Sequence, residues 1–298
     1  MLEERSEGYR EILQAMYGRA GGAKVVGVTG PPGAGKSTLV DRMARGLRAR
    51  GREVAILAVD PSSPFTGGAL LGDRVRMQGA YDDPAVFIRS MATRGAMGGL
   101  ARATRDVVDL FDGAGFDWIL VETVGVGQDE TDVVRTVDVV VLVTVPGLGD
   151  EIQAIKAGIM EIADIFVVNK SDRDGADRAV SHLESAITMV EGKVPKIPIL
   201  QTVAVRNEGV EELLETLEKI YVDLTISGGL EERRFQNLRI RVEELLKERF
   251  LNAACDNIDL EAELRRAFKD REDPYAVSDR LFAGVVAEAA TTSERSEV

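Results

Sequence analysis

Gly30-Pro31-Pro32-Gly33-Ala34-Gly35-Lys36-Ser37 is the stretch that decides the fold. It fits the pattern G-x-x-x-x-G-K-[ST], whose glycines let successive backbone N–H groups curl around phosphate oxygens. Lys36 brings a mobile positive charge to the β- and γ-phosphates of a nucleotide, and Ser37 offers a hydroxyl to Mg2+. Thr38 follows in the same phosphate-binding turn. The β-branched run Lys24–Thr29 precedes the loop and a helical segment follows it, so a helix N-terminus would face the phosphates.

Outward from this loop, short apolar runs alternate with helical segments. The runs are Lys24–Thr29, Val54–Val59, Trp118–Glu122, Asp138–Val145, Ile165–Val168 and Ile197–Leu200. Their near-continuous apolar character predicts strands covered on both faces. The expected fold is α/β: a P-loop NTPase with a mostly or wholly parallel, doubly wound sheet and ligand loops at the C-terminal strand ends. Tyr9, Ile12, Leu13 and Met16 recur at helical spacing and place a short amphipathic helix in residues 1–23, ahead of a nucleotide domain over 24–224. Thr225-Ile226-Ser227-Gly228-Gly229 reads as a linker into a helical extension over 225–298. There Phe235, Leu238, Val242, Leu245 and Leu246 form an apolar stripe through a charged helix. Such a stripe needs a partner, either the nucleotide domain or a second copy of the chain. The second copy is preferred, so shortening the chain at Ser227 is expected to give a nucleotide-binding monomer.

Three acids stand where a P-loop site needs them. Asp60 ends the second run, Asp73 follows the glycine-rich Thr66-Gly67-Gly68, and Glu122 ends the run Trp118–Glu122. A carboxylate at a strand end can bind Mg2+ or hold one of its waters, and this role is preferred for each acid over the alternative of a helix cap or turn residue. Gly125 can bring its backbone N–H to a γ-phosphate without a side-chain clash. Val126 follows it, with Gln128 two places further on, so no water-orienting Gln directly follows the glycine. Slow unaided hydrolysis, accelerated by a partner, is therefore expected.

Asn169-Lys170-Ser171-Asp172 follows the run Ile165–Val168. A carboxylate accepts from both N1–H and the 2-amino group of guanine, a pair of donors that adenine does not offer. Asp172 would therefore select GTP and GDP, Lys170 would lay its stem over the base, and Asn169 would tie this loop to the phosphate cradle. Thr202-Val203-Ala204 could offer backbone N–H groups to the guanine O6.

Composition narrows the remainder. The 298 residues are 45% hydrophobic and carry a formal charge of −13, which makes nucleic acid an unfavourable partner. The basic cluster Arg42–Arg52 reads as a solvated helix face. No stretch is apolar enough to span a membrane, and the charged N-terminus does not resemble a secretory signal, so a cytoplasmic location is expected. The single cysteine, Cys255, fits a reducing compartment. The single histidine, His182, argues against a histidine-built metal site, and Val180 two places before it rules out Asp-x-His-x-x-Gly, so no direct cobalamin site is expected.

With these elements assembled, the chain resembles the methylmalonyl-CoA mutase-associated GTPases, the MeaB/ArgK family. The matching strings include Asp60-Pro61-Ser62-Ser63-Pro64, Leu71-Gly72-Asp73-Arg74 and Phe87-Ile88-Arg89. They continue through Glu122-Thr123-Val124-Gly125-Val126-Gly127-Gln128, the segment from Gly149 to Gly158, and Asp273-Pro274-Tyr275. The resemblance implies an all-parallel sheet, GTP with Mg2+, and a homodimer held by C-terminal helices. It also implies a partner, an adenosylcobalamin-dependent acyl-CoA mutase whose cofactor loading the GTPase gates and protects. Carried over, Lys36, Ser37, Asp60, Asp73 and Glu122 fall on phosphate and metal positions, while Arg76 and Asp150–Lys156 fall on mutase-responsive switches. Gln153 and Lys156 could swing toward the phosphates when a mutase docks, with Lys156 serving catalysis; an ordinary helix start capped by Asp150 is the alternative. Val203 replaces a small Ser common in the family, and the N-terminal extension is short. Rival readings are a nickel-inserting GTPase, which would call for Cys and His near the nucleotide, a small-molecule kinase, which would not need the guanine loop, and a GTP-binding scaffold without turnover.

Overall fold

The computed structural model describes residues 8–60, 83–92, 99–123, 136–147, 163–190, 197–257 and 259–284. They fall into two compact units, Met1–Arg234 and Phe235–Val298. In the first unit seven strands form one sheet: β1 (Lys24–Thr29), β2 (Val54–Asp60), β3 (Val86–Ala92), β4 (Trp118–Thr123), β5 (Val139–Thr144), β6 (Ile165–Asn169) and β7 (Ile199–Thr202). Their spatial order is β3-β2-β4-β1-β5-β6-β7, and every pairing is parallel. The expected doubly wound α/β sheet is therefore present and wholly parallel.

Period-two alternation distributes the strand residues between two cores. Val26, Val28, Leu120, Val141 and Val167 face one side, where they meet Leu39, Met43 and Leu47 of α2 (Lys36–Ala49) and Leu213 and Leu217 of a later helix over Val210–Ser227. On the opposite side Val25, Leu57, Ile119 and Val121 meet Val107, Val108 and Phe111 of α3 (Gly99–Ala114). Leu142, Phe166 and Val168 meet Ala179 and Leu183 of α4 (Ala176–Val190). The short helix α1 (Tyr9–Tyr17) forms where its spacing predicted it.

Three expectations need correction. Strand β3 was not anticipated, because Arg89 and Ser90 interrupt the apolar run Val86-Phe87-Ile88. As an edge strand it has a single neighbour, and Phe87 stays half exposed while packing edge-on to Phe111. The linker at Thr225–Gly229 is not a loop: α5 (Val210–Ser227) continues to Ser227, only Gly228 turns left-handed at φ +74°, and α6 (Gly229–Asn257) begins at once. The basic cluster is not simply solvated either. Arg45 pairs with Asp41, Arg48 with Asp83, and Arg50 with both Glu211 and Glu218 of α5.

The N-terminal ends of the central strands are bound into one polar knot. Arg234 donates to both oxygens of Asp138, at 2.9 and 2.7 Å, and to the carbonyls of Gly21 and Ala23. Arg233 grips both oxygens of Asp164, at 3.0 and 2.7 Å, and also the carbonyl of Asp138. The Tyr221 hydroxyl donates to the Val25 carbonyl at 2.9 Å, and the Val25 amide donates to Asp138. Burial, with Asp138 close by, raises the Tyr221 phenol well above its usual value. Lys24 lies against the rings of Trp118 and Tyr221, where loss of hydration lowers its pKa. In the second unit α6 leads to α7 (Leu260–Asp270) and a helical stretch over 274–284. Phe235, Leu238, Val242 and Leu246 of the stripe are exposed.

Candidate functional site

Because every strand is parallel, the C-terminal ends of β1, β2, β4, β5, β6 and β7 lie at one edge of the sheet. The strand order reverses about β1, which has β4 on one side and β5 on the other. That crevice is where open α/β sheets bind ligands.

The loop after β1 fills it. Gly30 has φ +140°, and a Cβ there would lie 2.0 Å from the Val143 carbonyl oxygen of β5, so only glycine permits this approach. Gly35, at φ +89°, is the N-cap of α2 and brings no side chain to the amides of its first turn. A Cβ on Gly35 would meet Asn169 Nδ2 at 2.5 Å. Lys36 is buried, with Nζ donating to the carbonyls of Gly30 at 2.6 Å and Pro31 at 3.1 Å. Its ammonium is thus held over the loop, within the ring of backbone that would surround a phosphate. Ser37 Oγ donates to Glu122 Oε1 at 2.5 Å, and behind them Thr123 Oγ1 donates to Thr29 Oγ1 at 3.0 Å. Glu122 is itself buried. A hydroxyl and a carboxylate in contact offer hard oxygen donors of the kind Mg2+ takes. Asp60 closes β2, which runs beside β4 with Val59 opposite Thr123.

The loop after β6 is stitched to the same cradle. Asn169 is buried and spans three segments: Nδ2 donates to the Ala34 carbonyl at 2.8 Å, while Oδ1 accepts from Thr202 Oγ1 and the Ala204 amide, each at 3.1 Å. Lys170, at φ +56°, reaches back so that Nζ donates to the Gly33 carbonyl at 2.7 Å. Ser171 donates from its amide and its hydroxyl to the Thr202 carbonyl. The β6–β7 pairing that sets Asn169 opposite Thr202 makes these bonds possible. The Val203 amide donates to the Glu208 carbonyl, so the structure gives the Val203 and Ala204 amides acceptors within the protein.

The structure therefore brings together Gly30, Pro31, Pro32, Gly33, Ala34, Gly35, Lys36, Ser37, Thr38, Glu122, Asn169, Lys170, Thr202, Val203 and Ala204 around one crevice, with Asp172 three residues beyond the end of β6. Asp73, Arg76, Gly125, Val126, Gln128 and the segment 150–156 lie outside the described residues. Sequence reading missed Arg206, whose Nη2 lies 3.1 Å from Asp172 Oδ2. It stands in a short 3-10 turn, Ala204–Arg206, directly after β7. Its only sequence signal was position, since it follows a strand that neighbours the Asn169 strand.

The family model for "Methylmalonyl Co-A mutase-associated GTPase MeaB" matches residues 2–259. The chain belongs to this family. A Pyrococcus abyssi protein that carries a provisional GTPase name is 47% identical over 297 residues, 96% of this chain and 90% of that one. GTPase ArgK of Escherichia coli is 37% identical, over 86% of this chain and 79% of its own length. Among solved structures, a LAO/AO transport system kinase superposes with a TM-score of 0.73 at 30% identity, covering 95% of this chain and 90% of that one. Hydrogenase maturation factor HypB from Archaeoglobus fulgidus shares the fold, with a TM-score of 0.51 at 20% identity over 73% of this chain and 98% of its own. Among the described residues, no helix is long and apolar enough to cross a membrane.

Proposed function

We propose that this member of the MeaB family is a GTP-hydrolysing switch that attends an adenosylcobalamin-dependent acyl-CoA mutase. One observation carries the nucleotide part of this reading. Asn169 and Lys170, from the loop that would read the base, donate to Ala34 and Gly33 of the loop that would hold the phosphates. Loops joined in this way can serve one ligand, with its phosphates on the first loop and its base on the second, and Asp172 selects guanine.

In this site the amides that follow Gly35 and the ammonium of Lys36 stabilise charge that builds on the phosphoryl oxygens. The fit of the Ser37–Glu122 oxygen pair to a hard cation supports Mg2+ there, with Asp60 and Asp73 as further candidates. Bound Mg2+ would neutralise charge on the β- and γ-phosphates. Val126 after Gly125 leaves unaided hydrolysis slow, and Lys156 is the candidate for a cation brought in when the mutase docks. The exposed stripe of α6 supports pairing with a second copy. The chain itself holds no cobalamin in this reading.

The nucleotide reading is tested by titrating the full chain with fluorescent GDP and ADP. Wild type should prefer GDP by at least an order of magnitude. Asp172→Asn should forfeit a charge-assisted hydrogen bond worth about 1.5–3 kcal/mol and gain relative affinity for xanthine nucleotide. Equal affinity of the wild type for GDP and ADP would sink the proposal. The partner reading is tested by GTPase rate with and without an acyl-CoA mutase from the same cell, where no stimulation counts against it.

A further inference from the structure

Asp172, the carboxylate assigned to guanine, sits in an ion pair with Arg206 at 3.1 Å. We infer that Arg206 is an exchangeable stand-in for guanine, which holds Asp172 between nucleotides and takes it back as the base departs. The inference rests on the reading of Asp172 as the guanine acceptor.

The chemistry of the two donors is the reason. A guanidinium presents parallel, coplanar N–H groups to a carboxylate. The Watson–Crick edge of guanine presents N1–H and an amino N–H in the same arrangement. Adenine has no such pair, so it leaves Arg206 in place on Asp172. Arg206 thereby competes with guanine for the carboxylate and leaves adenine binding untouched.

The backbone supports such an exchange. The turn bearing Arg206 is fixed by buried Val203 and Ala204, by the Ala204 amide on Asn169, and by the Arg206 amide on the Val203 carbonyl. Asn207 closes it in the left-handed region at φ +61°. The side chain, in contrast, is 58% exposed, and the Asp172 side chain is 31% exposed. The guanidinium can therefore leave for water without disturbing packing, from an anchor that brings it back to the same carboxylate. Exposed ion pairs contribute little, so the competition should weaken guanine binding by about two- to fivefold. In related complexes such differences fall chiefly on dissociation. Arg206 thus promotes spontaneous release of GDP, the step that resets a switch of this kind.

The experiment follows fluorescent GDP and ADP on the full chain, for wild type, Arg206→Ala and Arg206→Gln, by equilibrium titration and by stopped-flow chase. Both variants should bind GDP about two- to fivefold more tightly and release it correspondingly more slowly, with ADP unchanged. Unchanged or faster GDP release in variants that melt like wild type overturns the inference and leaves the guanine reading standing. A matching change for ADP overturns it too, since it marks a general effect of charge on the phosphates. A wild type without guanine preference removes the guanine reading and this inference with it. A second measurement needs no variant: salt screens an exposed pair, so uncharged guanosine should bind wild type more tightly at high salt while adenosine does not. Guanosine binding that is flat or weaker with salt also overturns the inference.

Discussion

The two edges of the sheet use charge in opposite ways. At the N-terminal edge each carboxylate meets a guanidinium through paired hydrogen bonds, Asp138 with Arg234 and Asp164 with Arg233. At the C-terminal edge the Lys36 ammonium rests on the carbonyls of Gly30 and Pro31, and the Glu122 carboxylate accepts from the Ser37 hydroxyl. Carbonyls and hydroxyls are weaker partners than opposite charges, so a phosphate or a cation arriving there can replace these particular bonds at modest cost. One edge spends its charges on holding strands together, and the other presents them on groups that can be exchanged.

The sharpest way to break the comparison is to remove a charge from each edge. Asp138→Ala strips Arg234 and Tyr221 of a nearly buried partner and should cost about 3–5 kcal/mol of stability, read as a fall in the urea midpoint. An unchanged midpoint would mean that the knot is ornamental. Lys36→Ala should instead reduce GTP turnover by roughly 10²–10³-fold while the melting temperature stays near wild type. A large loss of stability in this variant would show that the C-terminal edge also serves as a structural tie.

The smallest expected effect concerns Tyr221. Tyr221→Phe removes one buried hydrogen bond to the Val25 carbonyl and should cost about 1 kcal/mol near neutral pH. The sign of its pH dependence follows from burial. The folded phenol is raised well above 10.0, so the unfolded chain loses this proton first as pH rises, and wild-type stability should decline from about pH 10 upward. Lys24 works the other way, because its lowered folded pKa makes stability rise as pH climbs toward 10.5. Comparing wild type with Tyr221→Phe between pH 8 and 11 isolates the phenol. Parallel curves would place the phenol's titration elsewhere than in this knot.

What could be read from the sequence was local. The strand Lys24–Thr29, the glycine-rich loop and the Asn169–Asp172 turn carry their information within a few residues, and their places in the fold followed from it. Strand β3 was missed because an edge strand can hold Arg89 and Ser90, which a central strand of this sheet would exclude. The fate of Arg50 was missed because Glu211 and Glu218 lie far along the chain and reach it only when α5 packs against α2. Arg206, Arg233 and Arg234 escaped for the same reason. An arginine on a helix or turn looks like surface until the fold delivers its carboxylate.

Gly228 is where one would ordinarily divide this chain, since it closes α5 and precedes a fresh helix. The guanidiniums of Arg233 and Arg234 lie just past it and belong to the sheet. A gene split, a fusion or a protease that separates the nucleotide unit at Ser227 would leave Asp138 and Asp164 behind without them. Severed after Arg234, the unit keeps its own seal, so its natural border runs through the interior of a helix.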